Sequence, residues 1–282
     1  MDIDACYKAV LDRLVPSLGA EARAAADIVF EDVAGYDRKY IFMNGSREMT
    51  DFMSHRISDV VDKVVAGEPV QYAVGKARFM GMDFTVDRST LIPRPETQGL
   101  VDMITDDYSG QSDVCGLDVG TGSGCIAVSL ARALRFACMS AMDISAGALA
   151  VAEGNARRLG VTVDFIKGDI LTMAPPRIPC YDFIVSNPPY ICDSEASDMD
   201  PRVLDYEPHG ALFVPDADPM LFYRAIGRYG MSAIMPGGKL YFEINESYAR
   251  ETVRLLESIG YSNVVALRDY KGKYRFVKAD RS

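Results

Sequence analysis

Residues 114–124 read Val-Cys-Gly-Leu-Asp-Val-Gly-Thr-Gly-Ser-Gly, a short apolar run that ends in alternating glycines. Apolar residues at helical spacing begin directly after the last glycine. The stretch therefore predicts a strand, a tight turn and the start of a helix. Ligands of open, doubly wound sheets bind at such turns, outside the carboxyl end of a strand. We expect an α/β fold with a ligand site at residues 120–124.

The alternation of strand and helix patterns continues to the end of the chain. Helix-like segments occupy 124–135, 146–159, 218–234 and 247–259, and a parallel sheet is typical of this order. The short spacing around Gly272 favours a hairpin, and so an antiparallel final strand. Strand-like runs that together predict a seven-stranded sheet lie at 114–119, 138–143, 162–167, 182–186, 239–244, 263–268 and 274–278.

Residues 1–75 have a different pattern, with apolar residues at three- and four-residue spacing. Three short helices fit, ended by Gly19, Gly35 and Gly67. Residues 76–94 contain two short β-prone runs and predict a hairpin linker. The predicted domains are therefore 1–75, helical, 76–94, the linker, and 95–282, the α/β domain.

Composition excludes several classes of protein. The net charge of -10 argues against a large phosphate-binding surface, and two histidines with scattered cysteines leave no metal pattern. No apolar run approaches the roughly 18 residues of a membrane span. We expect a monomeric, cytoplasmic protein without a metal, membrane contact or direct contact with nucleic acid.

The glycine turn predicts a nucleoside-containing cofactor with a cationic group. Its residues, Gly120, Thr121, Gly122, Ser123 and Gly124, would let backbone N–H groups approach a ligand closely. Asp118 would oppose a pyrophosphate but could receive an ammonium group. Asp143, about 20 residues beyond the turn, is placed to accept ribose hydroxyls. By position after the third strand, Asp169 could reach an adenine amino group and Ile170 could cover the ring. S-adenosyl-L-methionine has all of these parts.

A dinucleotide is the alternative ligand. Gly122, Gly124 and Ala127 also satisfy the degenerate G-x-G-x-x-G/A fingerprint of dinucleotide sites. A purely structural glycine turn is a third possibility. The loop by itself leaves these alternatives open.

A second motif, Asn187-Pro188-Pro189-Tyr190, follows the strand at 182–186 and so faces the same edge. The Asn187 side-chain oxygen and the Pro188 carbonyl can both accept from one NH2 group, because the prolines stiffen the backbone. Holding both protons directs a delocalised nitrogen lone pair at a methyl donor, and Tyr190 can stack on the planar group. The motif therefore predicts methyl transfer to an amide or nucleobase NH2, although a simple turn after a strand remains possible.

Together with these motifs, other segments make the chain resemble the peptide chain release factor glutamine methyltransferases, the PrmC/HemK family. The further segments are Pro69-Val70-Gln71-Tyr72 with Gly75, Phe79–Phe84, Leu91–Thr97 and Tyr206-Glu207-Pro208 with Ala211-Leu212. Gln98 and Cys125 depart from the residues usual in the family, but neither removes a group that the predicted mechanism needs.

The resemblance implies a seven-stranded Rossmann-like class I methyltransferase domain with a small N-terminal helical domain and a β-hairpin linker. It implies that Gly120–Gly124, Asp143 and Ile170 line S-adenosyl-L-methionine, and that Asn187–Tyr190 hold a glutamine amide. Asn187 is also expected to lie against the cofactor. The N-terminal helical domain would help to dock the release factor, the expected partner.

Two alternatives remain on the sequence alone. An adenine-N6 methyltransferase of nucleic acid uses the same Asn-Pro-Pro-aromatic chemistry, although residues 1–75 carry 13 acidic and 8 basic residues. A non-catalytic module that binds release factors or ribosomes would keep the fold without needing Asn187. The stretch 191–219 is read as an aperiodic loop or lid, with Glu207 either ordering it or lying on the surface.

Overall fold

The computed structural model describes residues 1–282, which form two compact units. The helical unit comprises Met1–Lys76 and Asp200–Tyr206, and the sheet unit comprises Ala77–Met199 and Glu207–Ser282. No helix has the length and apolar character needed to cross a membrane.

The helical unit contains five helices before residue 75. They are α1 (Ile3–Leu18), α2 (Ala22–Val29), α3 (Arg38–Asn44), α4 (Asp51–Val65) and α5 (Val70–Val74). Their buried apolar residues form one core, which includes Leu14, Phe30 and Val61. The sequence indicated α1, α2 and α4 but missed α3 and α5. Both are shorter than eight residues, and α3 buries only Ile41, so neither shows a helical period.

Two short strands, β1 (Lys76–Phe79) and β2 (Met82–Thr85), pair as a hairpin after α5. The two residues between them, Met80 and Gly81, both have positive φ, 49° and 70°. A two-residue turn of this kind matches the right-handed twist of the flanking strands. The hairpin that the sequence indicated at this position is therefore present.

A seven-stranded sheet forms the centre of the sheet unit. Its strands are β3 (Cys115–Val119), β4 (Cys138–Asp143), β5 (Val163–Lys167), β6 (Tyr181–Ser186), β9 (Ile234–Glu243), β10 (Ser262–Arg268) and β11 (Tyr274–Asp280). The spatial order is β10-β11-β9-β6-β3-β4-β5, and only β11 runs antiparallel to its neighbours. The predicted α/β class, the parallel sheet and the antiparallel last strand are confirmed.

Helices cover both faces of this sheet. They are α6 (Gln98–Asp107), α7 (Cys125–Ala133), α8 (Ala146–Leu159), α11 (Leu221–Ala233) and α12 (Ala249–Ile259). Successive residues of β6 point to opposite faces. Phe183 and Val185 pack in a core with α6 and α7, whereas Ile184 packs in a second core with α11 and α12. This double burial explains the continuous apolar run that marks β6 in the sequence.

The stretch 191–219 is folded, so the prediction of an aperiodic loop was wrong. It contains β7 (Ile191–Cys192), α9 (Pro201–Tyr206), α10 (His209–Leu212) and β8 (Phe213–Val214), and β7 pairs with β8. None of these elements is longer than six residues, so none shows a period in the sequence. Helix α9 belongs to the helical unit, where the Tyr206 hydroxyl donates to the Ala66 carbonyl, 3.3 Å away.

Candidate active site

The two sequence motifs lie side by side at the carboxyl edge of the sheet. Strands β3 and β6 are neighbours, with Val119 opposite Ser186. The buried Ser186 hydroxyl donates to the Val119 carbonyl oxygen over 2.6 Å, which ties the two strand ends together. The glycine turn begins directly after Val119, and the Asn-Pro-Pro-Tyr corner begins directly after Ser186. The strand order also reverses beside β3, which is where such sheets bind ligands.

The glycines of the turn are required by its backbone. Gly120, Gly122 and Gly124 have φ of 73°, 56° and 79°, a region that disfavours side chains. A Cβ added at Gly120 or Gly122 would meet no atom within 4 Å, so this side of the loop faces open space. A Cβ at Gly124 would lie 3.0 Å from the Ala152 Cβ, so Gly124 allows α7 to pack against α8.

The N–H groups of Gly120, Thr121 and Gly122 are already paired within the protein, which corrects the expectation that they approach the ligand. Gly120 and Thr121 both donate to the Met142 carbonyl oxygen, at 2.8 and 3.0 Å. Gly122 donates to the Asp143 carboxylate over 2.9 Å. A pyrophosphate site would need these N–H groups to point at the ligand. The geometry therefore argues against the dinucleotide alternative.

Asp118, the penultimate residue of β3, is buried beneath the turn and has an oxygen without a hydrogen-bond donor. One carboxylate oxygen, Oδ2, accepts from the Thr121 hydroxyl (2.7 Å) and the Ala127 N–H (3.2 Å). The other, Oδ1, is buried without a hydrogen-bond partner, which is rare in folded proteins. Burial raises the pKa of Asp118 to about 7. A cationic ligand beside this carboxyl would favour its ionised form.

Three of the other predicted cofactor residues, Asp143, Asp169 and Ile170, lie at the ends of the next two strands. Asp143 ends β4, and its two oxygens accept from Gly122 and Ser145 N–H groups, each at 2.9 Å. Each carboxylate oxygen can still accept a further bond. The Gly168 N–H donates to the Asp143 carbonyl over 3.0 Å and so brings the end of β5 alongside. Asp169 caps the following turn, and Ile170 is partly buried against the core beneath it.

The Asn187 side chain has a defined orientation. Its Nδ2 donates to the Thr97 hydroxyl oxygen, 3.4 Å away. The Thr97 hydroxyl in turn donates to Glu243 Oε2 over 2.7 Å, so it can only accept from the amide. Because Nδ2 is engaged in this way, Oδ1 is the atom of Asn187 left to accept from a substrate.

Tyr190 is held from both ends. Its hydroxyl donates to Glu243 Oε1 over 3.2 Å, and Asn245 Nδ2 donates to its carbonyl oxygen over 3.2 Å. Burial and the neighbouring Glu243 carboxyl raise the pKa of Tyr190, so the hydroxyl keeps its proton. The ring is therefore fixed beside the corner rather than free to rotate.

The sequence did not identify Glu243 or Thr97 as site residues. Glu243 ends β9 and is only 1% exposed, so burial raises the pKa of its carboxyl. The Thr97 and Tyr190 hydroxyls and the Arg275 guanidinium oppose that shift. One signal was present in the sequence, because a carboxylate ends an apolar strand at the same edge as the two motifs.

Glu207 is buried and not on the surface. It is 3% exposed and accepts from the Ile92 N–H over 3.1 Å and from the Arg94 guanidinium over 2.6 Å. These contacts fix the segment that leads to Thr97 through the turn at Pro95–Thr97. Glu207 therefore orders the approach to the site.

Comparison with known proteins supports the same family along most of the chain. A family model described as the PrmC N-terminal domain matches residues 10–75, and one described as the methyltransferase small domain matches residues 96–202. The fold resembles the crystal structure of a methyltransferase from Pyrococcus furiosus, with a TM-score of 0.52 and 16% identity over 78% of this chain and 97% of that one.

Two relatives match over nearly the whole length of the chain. The release factor glutamine methyltransferase of Bacteroides thetaiotaomicron is 40% identical over 261 residues, which covers 93% of each chain. The protein of the same name from Koribacter versatilis is 33% identical over 277 residues, which covers 98% of each chain. The resemblance found in the sequence is confirmed, and the chain belongs to the release factor glutamine methyltransferase family.

Proposed function

We propose that the chain transfers a methyl group from S-adenosyl-L-methionine to the side-chain amide nitrogen, N5, of the glutamine in the Gly-Gly-Gln motif of peptide chain release factors. The observation that carries the proposal is the orientation of Asn187 beside the glycine turn. Its Oδ1 and the Pro188 carbonyl are two acceptors at one corner, as an NH2 group requires. The names of the full-length relatives identify that NH2 group as a glutamine amide.

The residues of the turn fit the proposed cofactor. The Asp118 carboxyl is buried beneath the turn, where its negative charge would favour a nearby ammonium group, and Gly120 and Gly122 leave open space above the loop. Asp143 retains acceptor capacity for ribose hydroxyls, and Asp169 and Ile170 would hold the adenine. Thr121, Ser123 and Gly124 complete the turn and fix its shape. When bound, S-adenosyl-L-methionine supplies an electrophilic methyl group on a positively charged sulfur.

The Asn187–Tyr190 corner would hold and orient the glutamine amide that receives the methyl group. Asn187 Oδ1 and the Pro188 carbonyl accept the two amide protons, which leaves the nitrogen lone pair directed away from both. The same two dipoles stabilise positive charge as it develops on the nitrogen. Pro189 keeps the backbone from turning, and the fixed Tyr190 ring stacks on the carboxamide plane. No group needs to remove a proton before transfer.

Docking of the release factor is proposed for the helical unit, as the family resemblance implied for residues 1–75. The match of residues 10–75 to the PrmC N-terminal domain supports this placement. Two aromatic side chains of the unit, Phe42 and Phe52, are 90% and 70% exposed and suit contact with a protein. A monomeric state and the absence of direct nucleic-acid contact stay predictions.

Mass spectrometry of a purified release factor tests the proposed function directly. The factor is incubated with the protein and S-adenosyl-L-methionine, then digested, and the Gly-Gly-Gln peptide should gain the mass of one methylene group. A parallel reaction offers adenine-containing DNA and RNA oligonucleotides. Methylation of an oligonucleotide alone would replace the proposal with the adenine-N6 alternative, and no methylation of either acceptor would favour a non-catalytic module.

Replacing Asp143 with Ala should weaken cofactor binding. The carboxylate would lose its bonds to the ribose as well as its bond to the Gly122 N–H, and hydrogen bonds to charged groups contribute about 1.5–3 kcal/mol. We expect a roughly 10–100-fold higher Kd for S-adenosyl-L-methionine by titration calorimetry. Asp164→Ala removes the same charge from the exposed face of β5 and serves as the control. Equal affinities in the two variants would contradict the role of Asp143.

Cofactor affinity should depend on pH through Asp118. The pKa of its carboxyl is raised to about 7, so below this pH the free protein carries a proton that a cationic ligand must displace. Affinity should therefore rise as pH increases from 5.5 towards 7, by up to about tenfold per pH unit, and level off above it. Calorimetry in buffers of different ionisation enthalpy counts the proton released. Asp118→Asn should bind more weakly with no such dependence. A dependence unchanged in that variant would assign the proton to another group.

A further inference from the structure

Glu243 connects the two sides of the Asn187–Tyr190 corner. One of its oxygens accepts from the Thr97 hydroxyl and the other from the Tyr190 hydroxyl. The Thr97 hydroxyl oxygen in turn accepts from the Asn187 side-chain amide. Each hydroxyl has a single proton, so donation to Glu243 determines what its oxygen can do next. The carboxylate thus sets the direction of every hydrogen bond in this network.

We propose that Glu243 and Thr97 are positioning residues for methyl transfer. Together they hold the Asn187 amide with Oδ1 towards the substrate amide, and they fix the Tyr190 ring. This inference rests on the proposed function. Neither residue needs to touch the substrate or the cofactor. Their effect is exerted through Asn187, whose amide would otherwise be free to turn by half a rotation and present NH2 to the NH2 of the substrate.

The direction of the network requires a carboxylate at position 243. In Glu243→Gln one of the two oxygens becomes an NH2 group, which donates and cannot accept. Either Thr97 or Tyr190 then loses its acceptor. If Thr97 loses it, the hydroxyl is free to donate to Asn187 Oδ1. That bond favours the reversed amide orientation, in which Nδ2 and not Oδ1 points towards the substrate. The shape of the site changes little, because Gln and Glu have nearly the same volume.

The surroundings explain why a buried carboxylate is tolerated here. Arg275, on the neighbouring strand β11, is the cation that favours the charged form of Glu243, while Glu96 opposes it. Arg275 is itself anchored to Asp269, with 3.4 Å between Nε and Oδ2. Glu96 is neutralised by Lys271, whose Nζ lies 2.6 Å from Oε1. Buried charges are costly, and Arg275 offsets part of that cost at Glu243.

The experiment compares Thr97→Val, Thr97→Ser and Glu243→Gln with the wild type. Thr97→Val keeps the shape but removes the hydroxyl, and Thr97→Ser restores the hydroxyl. Misplacing a reacting group by about 1 Å can cost up to 10²-fold. We therefore expect Thr97→Val and Glu243→Gln to lower kcat by about 10–100-fold, with KM for release factor and cofactor within about threefold of wild type. Thr97→Ser should stay within about threefold in kcat.

A matched control is available in α6. Thr105 is partly buried and donates only to the Val101 carbonyl of its own helix, 2.9 Å away. Thr105→Val makes the same chemical change away from the site and should leave kcat unchanged. Thermal unfolding of every variant separates loss of folding from loss of positioning. If Glu243→Gln fails to fold, the pair of Thr97 variants still decides the inference.

A measurement that does not require the methyl-accepting substrate separates this inference from the proposed function. In ¹⁵N–¹H spectra the side-chain amide signal of Asn187 is assigned by its loss in Asn187→Ala. It should move in Thr97→Val and Glu243→Gln but stay close to the wild type in Thr97→Ser. If the wild-type protein fails to methylate the Gly-Gly-Gln glutamine, the proposed function is wrong. The amide signal then still tests whether Thr97 and Glu243 orient Asn187. An unmoved signal, an unchanged kcat in Thr97→Val, or a Thr97→Ser variant as slow as Thr97→Val would each overturn the inference.

Discussion

Replacing Asn187 with Ala is expected to lower kcat for release-factor methylation by roughly 10²–10³-fold, the usual cost of removing one preorganised dipole. The variant loses the Oδ1 acceptor and keeps only the Pro188 carbonyl, so one proton of the acceptor NH2 has no partner. S-adenosyl-L-methionine affinity should stay within about twofold, because the Asn187 side chain bonds to Thr97 and to no residue of the glycine turn.

Single-turnover kinetics with saturating release factor measure the chemical step, and calorimetry measures cofactor binding. Asn187→Asp is an informative comparison, because it keeps an acceptor oxygen but cannot donate to Thr97. Its rate should therefore lie between those of the wild type and Asn187→Ala. Undiminished turnover in Asn187→Ala would refute the two-acceptor mechanism. A large loss of cofactor affinity would instead show that Asn187 belongs to the cofactor site.

The sheet and the two motifs could be predicted because their signals are local. The strand run at 182–186 has three consecutive apolar residues, Phe183–Val185, because alternate residues of β6 are buried in two different cores. The glycines at 120, 122 and 124 are dictated by positive φ within a single turn. Such features depend on a few neighbouring residues and can be read without knowing what packs around them.

The network behind Asn187 could not be predicted, since it joins distant parts of the chain. Thr97 and Glu243 are 146 residues apart in sequence, and their bond exists only because β9 ends beside the start of α6. The pairing of the loop N–H groups was missed for the same reason. Their acceptor, the Met142 carbonyl, belongs to the adjacent strand. Both sets of bonds depend on how elements that are distant in the sequence pack together, and this packing cannot be inferred from the individual residues.

Replacing Glu207 with Ala should lower the free energy of unfolding by about 3 kcal/mol, near the lower end of the range for breaking a buried ion pair. The carboxylate is buried, and its loss leaves the Ile92 N–H without an acceptor and the Arg94 guanidinium without its counter-charge. The Arg94 side chain is 33% exposed and can be partly solvated, which keeps the expected loss below the largest values.

Urea unfolding followed by circular dichroism measures this loss, with Asp205→Ala, an exposed carboxylate two residues earlier, as the control. The control should change stability by less than about 0.5 kcal/mol. Glu207→Gln should fall between the two, because its amide oxygen can serve either Ile92 or Arg94 but not both. Since Ile92–Arg94 leads directly to Thr97, Glu207→Ala should also lower kcat where the protein is still folded. A variant as stable as Asp205→Ala would mean that water or another side chain replaces the carboxylate, and the order of the Thr97 segment would then need another source.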